Sequence, residues 1–241
     1  MRSESARVGS PHRHYRLTDS TNERARELAG ADAPAGTIVT ATEQTAGRGR
    51  YGRSWEAPAG KALLYSAILR PPAGENALLS LLVAIATAEA IESAAPVDCA
   101  IKWPNDVWIE ERKVAGILIE ARPPHWAVVG IGINVSIEPD EFPRDLRWPA
   151  VSVGNQASVE DLRTALNAKL SNWLSAPAED VLAAYRGRDA LTGRPVRWSR
   201  AAGSDAVCAS AAGVDDAGSL IVDGPNGRLN ISSGEVQLVE R

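Results

Sequence analysis

The sequence predicts an α+β fold: a mixed or antiparallel sheet flanked by helices, followed by a small C-terminal β-barrel. Between residues 99 and 135, short apolar runs follow one another through tight turns with no helix between them, which disfavours alternating βαβ units. An Ala/Leu-rich stretch over 76–95 supplies a long, largely buried helix. Beyond Leu191, five short strands around Val196, Val207, Leu220, Leu229 and Val236 alternate with Gly/Asp/Asn turns in about fifty residues, the signature of a small barrel.

Taken in order, residues 1–14 are rich in Ser, Arg and His without periodicity and read as a flexible arm. Ser20-Thr21-Asn22-Glu23 has the capping-box pattern and opens a helix that closes near Gly30. Residues 37–42 are β-branched and read as a strand. Residues 45–53 form a Gly/Arg loop incompatible with regular structure, and 62–69 return as a strand. Residues 99–103 and 107–109 are strands around the turn Pro104-Asn105-Asp106. Glu110-Glu111-Arg112 is a polar tip. Strands follow over 114–121 and 126–135, the latter punctuated by Gly130 and Gly132. Ser158 and Asp161 cap a helix over 158–174, and 178–185 continue helical. The chain thus divides into an arm (1–14), a large domain (15–190) and the barrel (191–241).

Composition narrows the function. With 241 residues, 44% hydrophobic and 23% charged, the chain is globular rather than disordered or collagen-like. The longest apolar stretch, 77–91, is broken by Ser80, Thr87 and Glu89 and is too short to cross a bilayer. The start of the chain lacks a secretory signal pattern. Cys99 and Cys208 lie far apart in apolar surroundings, so a disulfide framework is not expected and a reducing cytoplasm is the expected compartment. A net charge of −4 and a pI near 5.5 argue against a protein that coats nucleic acid. His12, His14 and His125 do not fall at zinc-ligand spacings with either cysteine.

The Gly/Arg loop is the most informative segment. Gly47-Arg48-Gly49-Arg50-Tyr51-Gly52 matches G-x-G-x-x-G literally, but it runs into a strand rather than opening a helix, so it is no dinucleotide fingerprint. No Gly-Lys-Ser/Thr follows, so it is no P-loop. Its glycines permit positive φ and close backbone approach, and its arginines offer forked donors to phosphate or carboxylate. It reads as a lid over an anion, a solvated turn, or an RNA-binding Arg-Gly patch. Lysine is scarce: Lys61, Lys102, Lys113 and Lys169 stand against 22 arginines. Lys102 and Lys113 flank Asn105-Asp106, where an acidic turn could hold Mg²⁺ with phosphate oxygens or be ordinary turn chemistry. Gly130-Ile131-Gly132-Ile133-Asn134 would let a flat ligand approach the backbone, with Asn134 reading a purine edge, or would simply pack tightly. Ser20, Thr21 and Asn22 offer neutral hydrogen bonds to a small polar head group, or cap the helix.

Together and in this order, these segments resemble the biotin protein ligases. The resembling pieces are Asp19 to Asn22, Glu43 to Arg53 with Trp55, Lys102-Trp103-Pro104-Asn105-Asp106, Lys113 to Glu120, and Gly130 to Asn134. The resemblance implies the class II synthetase-like catalytic fold of biotin and lipoate ligases with an SH3-like C-terminal barrel. It also implies ATP, Mg²⁺ and biotin, formation of biotinyl-5'-AMP, and transfer to a lysine of a biotin carboxyl carrier domain of a carboxylase. Carried over residue by residue, Ser20, Thr21, Asn22, Gln44 and the backbone near Arg48 match the biotin ring site. Arg48, Gly49 and Arg50 match the loop that folds over biotin and the adenylate. Lys113, with Gly116 beside it, matches the lysine between biotin carboxylate and α-phosphate, so Lys113, Arg50 and Arg48 are the expected catalytic residues. Arg48, Arg50, Arg53, Trp55, Lys102, Asn105 and Asn134 match the ATP side, and Asp106 the Mg²⁺ side.

Only 19 residues precede Ser20, too few for the winged helix of bifunctional members, so a monofunctional ligase that binds neither DNA nor membrane is expected. Relatives differ in oligomeric state, which leaves a homodimer open. The alternatives are a lipoate or octanoate ligase or transferase on the same fold, and an Arg-Gly nucleic-acid module.

Overall fold

The computed structural model of the chain describes residues 7–70, 78–146, 148–199, 207–225 and 227–239. The large domain begins with strand β1 (His12–Thr18), helix α1 (Thr21–Gly30) and strand β2 (Ile38–Gln44). It continues through β3 (Ala62–Leu69), α2 (Leu79–Ala94) and the short β4 (Ala100–Lys102) and β5 (Asp106–Ile109). The long strands β6 (Arg112–Arg122) and β7 (Trp126–Asn134) follow, then α3 (Val159–Trp173) and α4 (Ala178–Arg186). The strands form a seven-stranded sheet in the order β1-β2-β3-β7-β6-β5-β4. All its ladders are antiparallel except β1–β2, which is parallel, so the expected mixed sheet is present.

Helices cover both faces because the strands are apolar on both. β3 is buried throughout, and α2 is apolar around nearly its whole circumference, as a helix must be when wedged between a sheet and further helices. It packs against α3, α4 and the sheet, forming the main core with Leu63, Ile85, Ile101, Ile131 and Ile133. α1 covers the opposite face through Ala25 and Ala29 over Val39, Ile68 and Val128. Ser158 accepts the N–H of Asp161, capping α3 as expected. At the far edge, Ile101 bonds Arg188 and Ala190 through its backbone. The connector out of α4 thereby covers an edge strand that would otherwise be open.

The C-terminal strands β8 (Pro195–Ser199), β9 (Val207–Val214), β10 (Leu220–Gly224), β11 (Gly227–Ile231) and β12 (Glu235–Leu238) fall where the sequence places them. They form an antiparallel five-stranded sheet in the order β11-β10-β9-β8-β12. Among the described residues no ladder joins β11 to β12, so the barrel is not closed by backbone pairing. This sheet shares the main core through Val196, Leu220 and Val236. It is also tied to the large domain by Trp103, whose indole N–H donates to Gly218 O at 3.1 Å.

Four expectations change. Residues 12–14 are not part of an arm: they pair with β2, His12 opposite Ile38 and His14 opposite Thr40. Val8 is already buried, and its N–H donates to Ser171 Oγ at 2.9 Å; residues 1–6 lie outside the described residues. The capping box at Ser20 is not formed, for Ser20 makes no side-chain cap bond. Glu23 is drawn instead to Arg26 and Arg48, and Asp19 Oδ1 accepts the Ser20 N–H at 2.6 Å. The Gly/Arg loop contains a short 3₁₀ turn, Arg50–Gly52. Residues 76 and 77 of the expected long helix lie outside the described residues, and α2 begins at Leu79.

The two cysteines are chemically distinct. Cys99 is buried and Cys208 exposed, and neither is in a disulfide. Burial, with Glu92 nearby, pushes the Cys99 thiol up to about 12. A raised pKa means a negligible thiolate fraction at pH 8 in the folded state, and the thiolate is the reactive form. Titration of the native protein with an aromatic disulfide reagent at pH 8 is expected to modify Cys208 rapidly and Cys99 only after urea unfolding. Rapid reaction of both thiols in the native state would contradict the placement of Cys99.

Candidate active site

A strip of sheet without side chains forms the floor of the main cleft. Alternation along β7 sends Val129, Ile131 and Ile133 into the main core and Val128 toward α1. Gly130, Gly132 and Asn134 therefore share the α1 face. Gly132 stands between Gly116 on β6 and Leu64 on β3, and Gly130 between Leu118 and Ser66. The bare strip is filled from above. A Cβ on Gly132 would stand 2.4 Å from Trp55 Cε2, one on Gly116 2.9 Å from Trp55 Cζ3, and one on Gly130 2.1 Å from Asn22 Oδ1. The glycines are required here for close approach, not for unusual backbone angles.

One end of the cleft is neutral and hydrogen-bonding. Ser20, Thr21 and Asn22 are buried at the start of α1. The Thr21 N–H donates to Gln44 Oε1 at 2.7 Å. Ser66 Oγ lies 2.9 Å from Thr21 Oγ1 and 2.6 Å from Asn22 Oδ1. Asn22 Nδ2 donates to Glu120 Oε2 at 2.9 Å. These bonds fix the helix start against the sheet, so its small polar groups line the cleft in a set geometry.

The other end is cationic and aromatic. Lys102 is buried, with Nζ 5.7 Å from the Trp108 ring centre and 5.0 Å from that of Trp148. Asn105 locks its turn onto β6: Nδ2 donates to Ile117 O at 2.9 Å, and the Ile117 N–H returns to Asn105 O at 3.0 Å. Its Oδ1 accepts from Arg50 Nη1 at 3.2 Å.

Lys113 sits between the ends because β6 carries a bulge. Regular alternation would put Lys113 and Gly116 on opposite faces. The β5–β6 register shifts between Val107 and Trp108, so Lys113 comes opposite Trp108 while Gly116 stays opposite Asp106. The extra residue turns Lys113 onto the cleft face. Its Nζ lies 2.7 Å from Asp106 Oδ1, whose side chain is only 10% exposed, and 5.6 Å from the Trp55 ring centre. Lys113 is therefore not a solvated hairpin tip. This oxygen of Asp106, the residue expected on the Mg²⁺ side, is directed at Lys113. No group of three His, Cys, Asp or Glu able to hold a metal occurs among the described residues.

The Gly/Arg loop roofs the cleft. Arg48 and Ser54 form an isolated antiparallel bridge. The Gly49 N–H donates to Arg53 O at 2.7 Å and the Trp55 N–H to Gly47 O at 2.9 Å. Positive φ occurs at Gly52 and also at Tyr51, with φ of 74° and 59°, but not at Gly49. Gly47 is needed for another reason, since its Cβ would meet Trp55 O at 2.2 Å.

The cleft is concave and open at its mouth, the form that small-molecule sites take. It brings together Ser20, Thr21, Asn22, Gln44, Arg48, Gly49, Arg50, Arg53, Trp55, Lys102, Asn105, Asp106, Lys113 and Gly116. Asn134 stands apart: it is buried, and Nδ2 donates to Val151 O at 3.1 Å, bracing the segment after β7. Sequence reasoning missed Trp148 and Glu235, both on the cleft wall. Trp148 lies in an aperiodic Pro/Arg-rich stretch and Glu235 on a C-terminal strand, so neither carried a motif.

Comparison with known proteins matches this geometry. Residues 14–135 match the model of the biotin/lipoate A/B protein ligase family, and residues 192–239 that of the biotin protein ligase C-terminal domain. The chain belongs to this family. It is 38% identical to the biotin–[acetyl-CoA-carboxylase] ligase of Paracoccus denitrificans over 91% of this chain and 97% of that protein. With the ligase of the same name from Mycobacterium tuberculosis the identity is 33%, over 91% of this chain and 85% of that protein. Among solved structures, the Aquifex aeolicus biotin protein ligase in complex with biotin and ATP superposes with a TM-score of 0.82 at 27% identity, covering 97% of this chain and all of that one.

The packing of Trp55 on the glycine floor is open to a direct check. Gly132→Ala is expected to destabilise the fold, whereas in a Trp55→Ala background the same change should be nearly silent. Urea unfolding of the four proteins in this cycle should give a coupling of about 0.5–3 kcal/mol. Additive effects would mean that Trp55 does not rest on Gly132.

Proposed function

We propose that this chain activates biotin with ATP to biotinyl-5'-AMP and transfers the biotinyl group to a lysine of a biotin carboxyl carrier domain. The observation that carries the reading is the placement of Lys113 and Arg50 between a neutral hydrogen-bonding end and a cationic aromatic end of one cleft. A ureido ring has matched donors and acceptors for Ser20, Thr21 and Gln44. A triphosphate suits Lys102 and the loop arginines.

The chemistry joins two anions. A biotin carboxylate oxygen attacks the α-phosphorus, an O–P bond forms, and the bond to pyrophosphate breaks. Lys113 and Arg50 would offset the repulsion on approach and stabilise charge developing at the α-phosphate oxygens. Asp106 holds the Lys113 ammonium in place, and the Trp55 ring limits the water that reaches it. Mg²⁺ would travel with the nucleotide phosphates, since it favours phosphate and water ligands over a protein cage. In the second half-reaction the carrier amine attacks the acyl carbon and AMP leaves. A roof over the anhydride delays hydrolysis until the carrier arrives.

No helix among the described residues is long and apolar enough to cross a membrane. The unpaired cysteines support a reducing, cytoplasmic setting.

ATP–pyrophosphate exchange is expected to depend on biotin, and equal exchange with lipoate or octanoate would overturn the substrate assignment. Lys113→Ala should lower exchange by at least about 10²–10³-fold. It should also lower stability, because the Asp106 carboxylate loses its partner in a nearly buried position. Lys113→Arg is expected to keep the fold while remaining slow, since a planar fork cannot replace a compact ammonium here. Near-normal exchange by either variant would remove Lys113 from the mechanism.

A further inference from the structure

Arg48, Arg50 and Arg53 lie within six residues of the loop but end on different kinds of partner. Arg48 Nη1 lies 3.1 Å from Glu23 Oε2 on α1. Arg53 pairs with Glu235 on β12, a carboxylate whose side chain is only 10% exposed. Arg50, between them, meets neutral groups: Asn105 Oδ1 at 3.2 Å and the Tyr51 ring at 5.0 Å. The two outer charges are thus compensated by carboxylates, while the middle one keeps its attraction for an incoming anion. We infer that the loop is clasped from both sides, by Glu23 of the large domain and Glu235 of the C-terminal domain, and that these glutamates are positioning residues governing how often the roof opens.

The backbone supports a clasp rather than two independent surface pairs. The bridge between Arg48 and Ser54, with the Gly49–Arg53 and Trp55–Gly47 bonds, makes residues 47–55 a small hairpin. Pinning both sides of such a unit restrains Arg50 as well. Glu23 is itself held by Arg26 at 3.1 Å, and Arg26 reaches Glu120 at 3.6 Å. Glu120 in turn accepts from Asn22, so the clasp is continuous with the neutral end of the cleft. On the other side, Gly234, Glu235 and Val236 form part of the cleft wall, so the C-terminal domain contributes to the lid.

Resting on the ligase reading, this assigns the outer arginines to retention of the adenylate and Arg50 to the substrate phosphate. The arginine end of each pair is about half exposed, at 48% for Arg48 and 45% for Arg53, so salt can screen both contacts and the clasp can release.

The test is limited trypsin digestion of the full chain without ligand, scored by mass spectrometry at the bond after Arg50, an arginine neither glutamate touches. Glu23→Gln and Glu235→Gln are each expected to raise that cleavage about threefold to tenfold, with Glu56→Gln, a loop carboxylate bonded to Ser54, as the unchanged control. If a glutamine variant fails to fold, wild-type protein still answers: cleavage after Arg50 should rise between 0.05 and 0.5 M NaCl, relative to a free peptide of the loop sequence. With biotin and ATP but no carrier, AMP release should rise by a factor similar to the cleavage. Unchanged cleavage in both variants, or salt-independent cleavage in wild type, overturns the clasp. Faster cleavage without faster AMP release overturns its role in retention. Failure of wild-type protein to form any adenylate would instead sink the ligase reading and leave the clasp standing on the trypsin result.

Discussion

Absence of side chains along Gly130, Gly132 and Gly116 is the constraint on which the rest of the structure depends. Three glycines on one face of two neighbouring strands would leave a hole in a sheet of this length. The hole is closed by groups from elsewhere: Asn22 from a helix start and Trp55 from a loop. Each must then be held by its own neighbours, which is why Ser66, Glu120 and Gln44 converge on the start of α1. The wide core on the opposite face, which takes in Ile131 and Ile133 and is covered by α2, backs this floor. A bound ligand therefore meets a surface whose shape is set before it arrives.

Charge is arranged around the floor with equal economy. Within the cleft, one lysine is paired with a nearly buried carboxylate and another is held near two indoles. A β-bulge, not side-chain flexibility, brings Lys113 to the correct face. Fixed cations of this kind need little reorganisation when negative charge develops nearby, and that is the main requirement for joining two anions.

Much of this was legible in the sequence, and the failures have physical causes. Strand and helix positions came from periodicity and turn residues, and the five C-terminal strands came from their punctuation by Gly and Asp. The order of strands in the sheet is a long-range property that no local pattern encodes. Ser20 to Glu23 has the form of a capping box, but Arg26 and Arg48 compete for Glu23 and win. Gly49 has the residue type for positive φ and does not adopt it, while Tyr51 does. The cleft residues expected from the sequence all came from motifs, and wall residues outside them, such as Trp148 and Glu235, were missed. Asn134 lies in a motif yet braces the backbone, because a buried amide takes whatever carbonyls its strand register offers.

The indole of Trp103 belongs to the same five-residue turn that presents Lys102, Asn105 and Asp106 to the cleft, and it donates across the domain boundary to Gly218 O. The motif that builds the cationic end of the cleft is thus also the socket for the C-terminal sheet. Cutting the chain near residue 190 would expose a buried indole and remove part of the cleft wall in one stroke. A recombination that separates the two domains in this chain must supply the turn with a new partner for its indole.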